Sequence, residues 1–385
     1  MTVAAPIDQP DIARRRLLQQ CAALAMVPAL SGLSGCRVRQ TIKVGFLGGL
    51  SGRVSDVAIE GRNGAQLAVE MANAAGGVLG QPIELIVRDD EQKQDMAMRG
   101  LNELADSQVA FVVGPMTSQM AVAVAPLANT LHLPLISPTA TTHELTGLAD
   151  YFFRLVPDAR TGARQQAEYF LTRQARTLVT IADVRNKAFS DSWANSVAER
   201  FKAGGGQVPQ QLRFQSGGDT DLTALATKAT ADKAQVIVIV AGAVDAALIA
   251  ARLRKLDSHV QLATAPWAGT EQLIQLGGKA VDGALVPQYF DRDSPTEAFQ
   301  HFVASYHSRF GETPGFAATN ACDAVNLGLA ALAQAGHASH LKDVLQRAQN
   351  YQGLQRAISL DAQGDSAGAL HLTLVKNGRF VAAGN

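Results

Sequence analysis

This chain carries no surplus charge of either sign and little cysteine. Past its N-terminal segment it also has no apolar run that reads as long enough to span a bilayer. Its 34 Lys and Arg balance 34 Asp and Glu over 385 residues. A nucleic-acid partner needs a basic surface to neutralise phosphates, so this balance argues against one. The three cysteines are Cys21, Cys36 and Cys322. The first two fall in the N-terminal segment. Cys322 is then alone, and the folded part is expected to lack an intrachain disulfide. A chain of this length is stabilised by burial without one.

Catalytic and cofactor signatures are missing too. His143-Glu144-Leu145-Thr146-Gly147 opens like a zinc-protease motif but lacks the second histidine. Gly45 within the first apolar run and Gly48, Gly49 and Gly52 after it lack dinucleotide-loop spacing, and glycine is needed for any tight strand-to-helix turn. There is no phosphate-cradling Gly-Lys-Ser/Thr loop and no Gly-x-Ser-x-Gly elbow. His301 and His307 are spaced so that they fall on different faces of a helix, which gives no metal pair. The expectation is a protein that is not an enzyme, with no cofactor and no metal.

What is present begins at the N-terminus. Arg14-Arg15-Arg16-Leu17-Leu18 precedes an apolar stretch, Cys21 to Leu33, well short of the ~20 residues a membrane-spanning helix needs. The arginines resemble a twin-arginine export signal, although a Ser is lacking before them and Leu17 stands where Phe is common. Leu33-Ser34-Gly35-Cys36 resembles a bacterial lipobox. Residues 1–35 are thus expected to be a lipoprotein signal peptide, cut before Cys36. The Cys36 thiol would carry lipid and residues 36–41 would form a tether. Acyl chains at roughly 0.8 kcal/mol per buried methylene hold a soluble domain at a membrane. The protein is expected to be exported, periplasmic or at the cell surface, and membrane-anchored.

From Ile42 onward, short apolar runs alternate with helical spacing. The runs are Ile42–Leu47, Ile83–Val87, Val109–Val113, Leu133–Ile136, and then Leu178–Ile181, Val208–Phe214, Val236–Val240 and Val260–Ala263. Apolar strands separated by helices imply parallel sheets covered on both faces. The rhythm occurs twice, on either side of Tyr151–Pro157, which predicts two α/β lobes. The expected division is 42–155 plus 287–353 for the N-terminal lobe and 156–286 plus 354–385 for the C-terminal lobe.

Several landmarks lie in order along almost this whole length. They are Ile42-Lys43-Val44-Gly45, Leu50-Ser51-Gly52, Gly61-Arg62-Asn63-Gly64-Ala65, Asn73-Ala74-Ala75-Gly76-Gly77-Val78 with Gly80, Arg88-Asp89-Asp90, Val112-Val113-Gly114-Pro115, Ser137-Pro138-Thr139-Ala140-Thr141 and Glu144-Leu145-Thr146. In order and spacing the chain resembles type I periplasmic solute-binding proteins of the leucine/isoleucine/valine-binding kind. The resemblance implies two Rossmann-like lobes joined by a three-crossover hinge, near Leu155–Pro157, Leu285–Pro287 and Leu354–Ile358. It also implies lobe closure on a small-molecule solute and delivery to ABC permease subunits, with the binding protein a monomer. The alternative with the same architecture is a ligand-sensing module for a membrane signalling receptor.

In open parallel sheets, ligands sit beyond the carboxyl ends of the strands. Thr117 and Ser118 begin a helix after one such end, where backbone N–H groups, hydroxyls and the helix dipole can hold a carboxylate. Thr139 and Thr141 follow the next strand. By resemblance, these positions hold the ligand's α-carboxylate and α-amine; the competing reading is that they cap helices and turns. The second half departs from the amino-acid binders. Their tyrosines are matched by Val57, Phe189 and about Ala243, and the carboxylate that meets the ligand ammonium is matched by Trp267. Either Asp245, Asp191 or Asp183 replaces that carboxylate, or the ligand has no ammonium. Phe189 and Trp267 favour a flat or apolar ligand. The expected ligand is a small amino-acid-like solute or, preferred, a carboxylate or aromatic acid. Its contacts would be Thr117, Ser118, Thr139, Thr141, Phe189, Asp245 and Trp267.

Overall fold

The computed structural model describes residues 1–2, 41–52, 55–257, 259–368 and 370–384. The expected signal peptide, the lipid site at Cys36 and the tether up to Gln40 lie outside the described residues.

The first half runs β1 (Ile42–Gly48), α1 (Asp56–Ala74), β2 (Ile83–Asp89), α2 (Gln94–Asp106), β3 (Val112–Val113), α3 (Ser118–Leu131), β4 (Leu135–Ser137) and β5 (Phe152–Arg154). Its sheet has the order β2-β1-β3-β4-β5, and every neighbouring pair is parallel. The apolar runs become strands because helices cover both faces: Val44, Phe46, Val112, Val113, Leu135 and Ile136 are all buried.

The second half continues with α4 (Ala159–Thr172), β6 (Leu178–Asp183), α5 (Lys187–Ala203), β7 (Gln211–Phe214), α6 (Leu222–Thr230), β8 (Val236–Val240), α7 (Ala243–Leu256), β9 (Gln261–Thr264), α8 (Glu271–Gly277) and β10 (Leu285–Gln288). After it come α9 (Glu297–Phe310), α10 (Phe316–Ala335), α11 (Leu341–Leu345), a small ribbon of β11 (Tyr351–Gln352) and β12 (Ala357–Ile358), then β13 (His371–Lys376) and β14 (Arg379–Ala382). The second sheet has the order β14-β13-β10-β9-β8-β6-β7. Its parallel part, β7-β6-β8-β9-β10, repeats the strand order of the first sheet, so the doubly wound design occurs twice. β13 and β14 extend the edge antiparallel. Pro287 and Gln288 pair with Leu372 and His371, so this sheet runs two residues beyond the boundary expected at 286.

α9 and α10 return to pack on α1 of the first half. Gly64 makes the closest part of that contact: a Cβ there would lie 2.2 Å from the Ala318 carbonyl oxygen. One sequence expectation is corrected here. α10 is long and apolar enough, by length and composition, to cross a membrane. Its burial against α1 and the first sheet accounts for that apolarity: Phe316 to Val325 are all buried. Cys322, in the same helix, is buried and free.

The chain passes between the two sheets after β5, after β10 and before β13. Arg154, at the first passage, is almost fully buried and forms an ion pair with Asp365 at 2.7 Å. It also donates to the Thr142 carbonyl and to Thr146 Oγ1, each at 2.7 Å. Arg356 adds a 2.7 Å bond to the Leu155 carbonyl. These long-range bonds tie the first passage to the last.

Candidate functional site

Both sheets point the carboxyl ends of their strands at a shared cleft, and the loops leaving those ends build the site. From the first sheet, the β3–α3 loop contributes Met116, Thr117 and Ser118, and the β4 loop contributes Thr139 and Thr141. From the second, the residues after β6 contribute Asn186 and Phe189, those after β9 Pro266 and Trp267, and the residue after β10 is Tyr289. Val57 from α1 and Phe316 from α10 complete a cavity of about 30 Å³. Six of the seven sequence-expected contacts are brought together there: Thr117, Ser118, Thr139, Thr141, Phe189 and Trp267.

Local chemistry fixes these positions. Gly114 precedes the loop at φ +121°, and a Cβ on it would meet the Leu47 carbonyl oxygen at 2.2 Å, so only glycine lets β3 turn toward α3 there. The two hydroxyl loops are then stitched together. Ser137 Oγ donates to the Pro115 carbonyl and Thr139 Oγ1 to the Met116 carbonyl, both at 2.7 Å. Ser118 Oγ accepts from the backbone N–H of Thr141 at 3.0 Å and of Thr142 at 3.2 Å, which leaves its own proton for a further acceptor. Thr117 occupies the N-cap position of α3 in an extended conformation, but its side chain makes no capping bond. The helix-cap reading of Thr117 is therefore not what the geometry gives.

Two buried hydroxyls in this cavity, Thr141 Oγ1 and Tyr289 Oη, lie beside each other, and neither makes a hydrogen bond of regular geometry. They lie close enough that Thr141 offsets part of the burial effect on Tyr289, whose phenol burial pushes well above its ordinary value. The opposite wall is aromatic. Phe189 meets Trp267 edge to face, with ring centroids 6.0 Å apart, and stacks obliquely on Trp193 at 6.0 Å. Among the described residues, no Asp, Glu, Lys, Arg or His lines this cavity.

Asp245 corrects the sequence expectation. It is buried in the first turn of α7 and accepts a bond from Ser216 Oγ, in a separate hollow lined by Phe214, Gln215, Gly217, Gly218, Thr220 and Leu222. The other two candidate acids are also used within the second half. Asp183 caps the turn after β6, accepting from Arg185 N at 3.1 Å and Ser216 N at 3.0 Å. Asp191 pairs with Arg213 at 2.9 Å. None of the three lines the cleft.

Asn186, Tyr289 and Phe316 were missed by the sequence reading. Tyr289 had one usable signal, its place directly beyond a strand's carboxyl end. Asn186 owes its position to contact between the halves: its Oδ1 accepts from Gln119 N of α3 at 3.1 Å, while Gln119 Oε1 accepts from Ala188 N at 3.1 Å. Further bonds close the same cleft. Arg185 donates to Gln92 Oε1 at 3.1 Å, His143 N to Ser192 Oγ at 3.3 Å, and Thr270 Oγ1 to Asp56 Oδ2 at 2.9 Å.

Two repeated α/β sheets facing one closed cleft define a two-lobed solute-binding architecture. The chain belongs to the periplasmic binding protein family, whose profile matches residues 41–375. Over 249 residues it is 26% identical to the Leu/Ile/Val-binding protein BraC3 of Rhizobium johnstonii, a stretch covering 63% of this chain and 66% of that relative, just under two thirds of its length. It superposes with a TM-score of 0.81 at 26% identity on LivJ, the branched-chain amino acid transporter substrate binding protein from Streptococcus pneumoniae, solved with isoleucine; the match covers 89% of this chain and 98% of that one. A solute-binding protein of an ABC transporter from R. palustris, solved with benzoate, gives a TM-score of 0.81 at 19% identity, covering 90% of this chain and 96% of that one. At that identity the likeness speaks to the fold alone.

Proposed function

We propose that this chain is the extracytoplasmic capture component of an ABC importer. It is a monomer anchored by lipid at Cys36 that closes its lobes on a small carboxylate solute, aromatic or aliphatic, without an ammonium group. The observation that carries the reading is the cavity lining: hydroxyls and the start of α3 on one side, aromatic rings on the other, and no carboxylate among the described residues. An ammonium taken out of water without a partner costs several kcal/mol. Micromolar binding supplies only about 8 kcal/mol in total. A cation–π contact with Trp267 is worth about 0.5–2 kcal/mol and does not restore the balance. A carboxylate, by contrast, is matched by neutral donors and the positive end of the α3 dipole. The isoleucine and benzoate complexes of the two structural relatives show that this fold accommodates either kind of ligand in other chains.

Calorimetric titration tests the reading. Benzoate, phenylacetate and 4-methyl-2-oxopentanoate are expected to bind at micromolar or better affinity and leucine at least ~30-fold more weakly. Tight leucine binding with no response to the acids would refute it.

A further inference from the structure

We propose that Tyr289 is the specificity-determining residue of this cleft, its hydroxyl and that of Thr141 together donating to the carboxylate of the bound solute. This rests on the acid-binding reading above and goes beyond it by naming the group that the second lobe contributes. Three observations place the pair. Thr141 is fastened to Ser118 through its backbone, so its side chain stands at the start of α3, where an anion is favoured. Tyr289 enters the same cavity from beyond the end of β10, in the second sheet. Both hydroxyl oxygens are buried and lie beside each other, and neither makes a hydrogen bond of regular geometry, although groups of this kind normally find one when taken from water.

A carboxylate has two oxygens and about four lone pairs, enough to accept from both hydroxyls and from the helix start at once. Two donors whose only polar neighbour in the cavity is each other, without regular geometry, gain a charged acceptor when the acid arrives. Because Thr141 belongs to the first lobe and Tyr289 to the second, a single carboxylate bridges the two lobes. The phenol also stands in a cleft from which the acids of the second half, Asp183, Asp191 and Asp245, are absent. It thus presents a neutral donor in a site that holds no counter-charge for an ammonium.

The test compares the wild type with Tyr289→Phe, Thr141→Val and Thr141→Ser, titrated with benzoate, phenylacetate and 4-methyl-2-oxopentanoate, and with benzamide as the uncharged counterpart. A hydrogen bond to a charged acceptor converts to roughly a 10–100-fold change in Kd. That loss is expected for Tyr289→Phe and for Thr141→Val with whichever acid binds tightest, while Thr141→Ser stays within about threefold. Benzamide is expected to bind wild type weakly and to lose little on Tyr289→Phe. The unliganded Tyr289→Phe protein is expected to melt close to wild type, because the hydroxyl it loses has only the Thr141 hydroxyl beside it and no hydrogen bond of regular geometry. Acid binding that survives Tyr289→Phe unchanged overturns this inference and leaves the acid reading standing. So does a lowered melting temperature with unchanged Kd, which would mark a structural role. A wild type that binds none of the three acids overturns both.

Discussion

Thr270, at the start of α8 in the second half, donates a 2.9 Å hydrogen bond to the Asp56 carboxylate in the first turn of α1 in the first half. This bond crosses the cleft outside the cavity, since neither residue is among those that line it. Burial raises the Asp56 carboxyl and the Thr270 bond pulls it back down, so the two residues hold each other in place. Thr270→Val should therefore weaken solute binding by about 10-fold or more without touching the ligand, since a hydrogen bond to a charged group contributes about 1.5–3 kcal/mol. Stopped-flow measurements should place most of the loss in the dissociation rate. An unchanged Kd would show that closure does not depend on this latch.

Glu60 lies one turn along from Asp56 and shares its outer hollow with Thr270, Glu271 and Glu312. Burial raises its carboxyl to about 7, against the lowering effects of the Ala318 N–H, the Arg292 guanidinium and the Gly315 N–H; the Asp56 carboxylate raises it further. A carboxyl whose value is raised in the folded protein binds its proton more tightly there than in the unfolded one. The stabilisation is therefore complete below the ordinary carboxylate range and is lost as pH rises through about 7. Stability against unfolding, read as melting temperature, should be higher at pH 6 than at pH 8, with part of the effect screened because the hollow is open to solvent. Glu60→Gln should flatten that profile. A slope of opposite sign, or one that persists in the variant, would assign the dependence elsewhere.

The contact between Gly64 and Ala318 predicts a sharp stability effect far from the cavity. The Cβ of Gly64→Ala would lie 2.2 Å from a backbone oxygen and 2.6 Å from the Ala318 Cα, neither of which is the end of a flexible side chain. The helices must separate, at about 2–3 kcal/mol of overpacking. A drop in melting temperature of roughly 3–4 °C is expected, with ligand affinity changed far less than by Tyr289→Phe. An unshifted melt would mean that α1 and α10 adjust without cost.

Much of this arrangement was legible in the chain. Both sheets announce themselves because their strands are buried on each face and so read as unbroken apolar runs, such as Val236–Val240, where all five residues are buried. Edges were harder: the run at Val208–Phe214 yields a strand only from Gln211, because β7 pairs on one side alone and half of it faces water. Thr117, Ser118, Thr139 and Thr141 were readable because each follows a strand's carboxyl end directly. Asp245 misled because an acid in the first turn of a helix looks the same whether it faces a ligand or its own loop; here it faces Ser216. Asn186 and Phe316 were out of reach, since what they touch is set by how two distant parts of the chain meet, which no local pattern encodes.

Trp267 offers the most direct control over ligand class. It sits where the amino-acid binders are expected to carry the carboxylate that meets the ligand ammonium, and it lines the cavity against Phe189 at 6.0 Å. Trp267→Glu places an acid opposite the hydroxyls and removes an aromatic wall. Two like charges in one small cavity repel, so benzoate and 4-methyl-2-oxopentanoate should lose at least ~30-fold in affinity at pH 8. Leucine, with an ammonium to pair, should gain relative to 4-methyl-2-oxopentanoate, which shares its carbon skeleton. The decisive quantity is the ratio of those two dissociation constants, because a general loss of cavity shape would weaken both ligands together. A ratio that fails to move toward leucine would mean that the ammonium, if this protein ever holds one, is recognised somewhere other than at position 267.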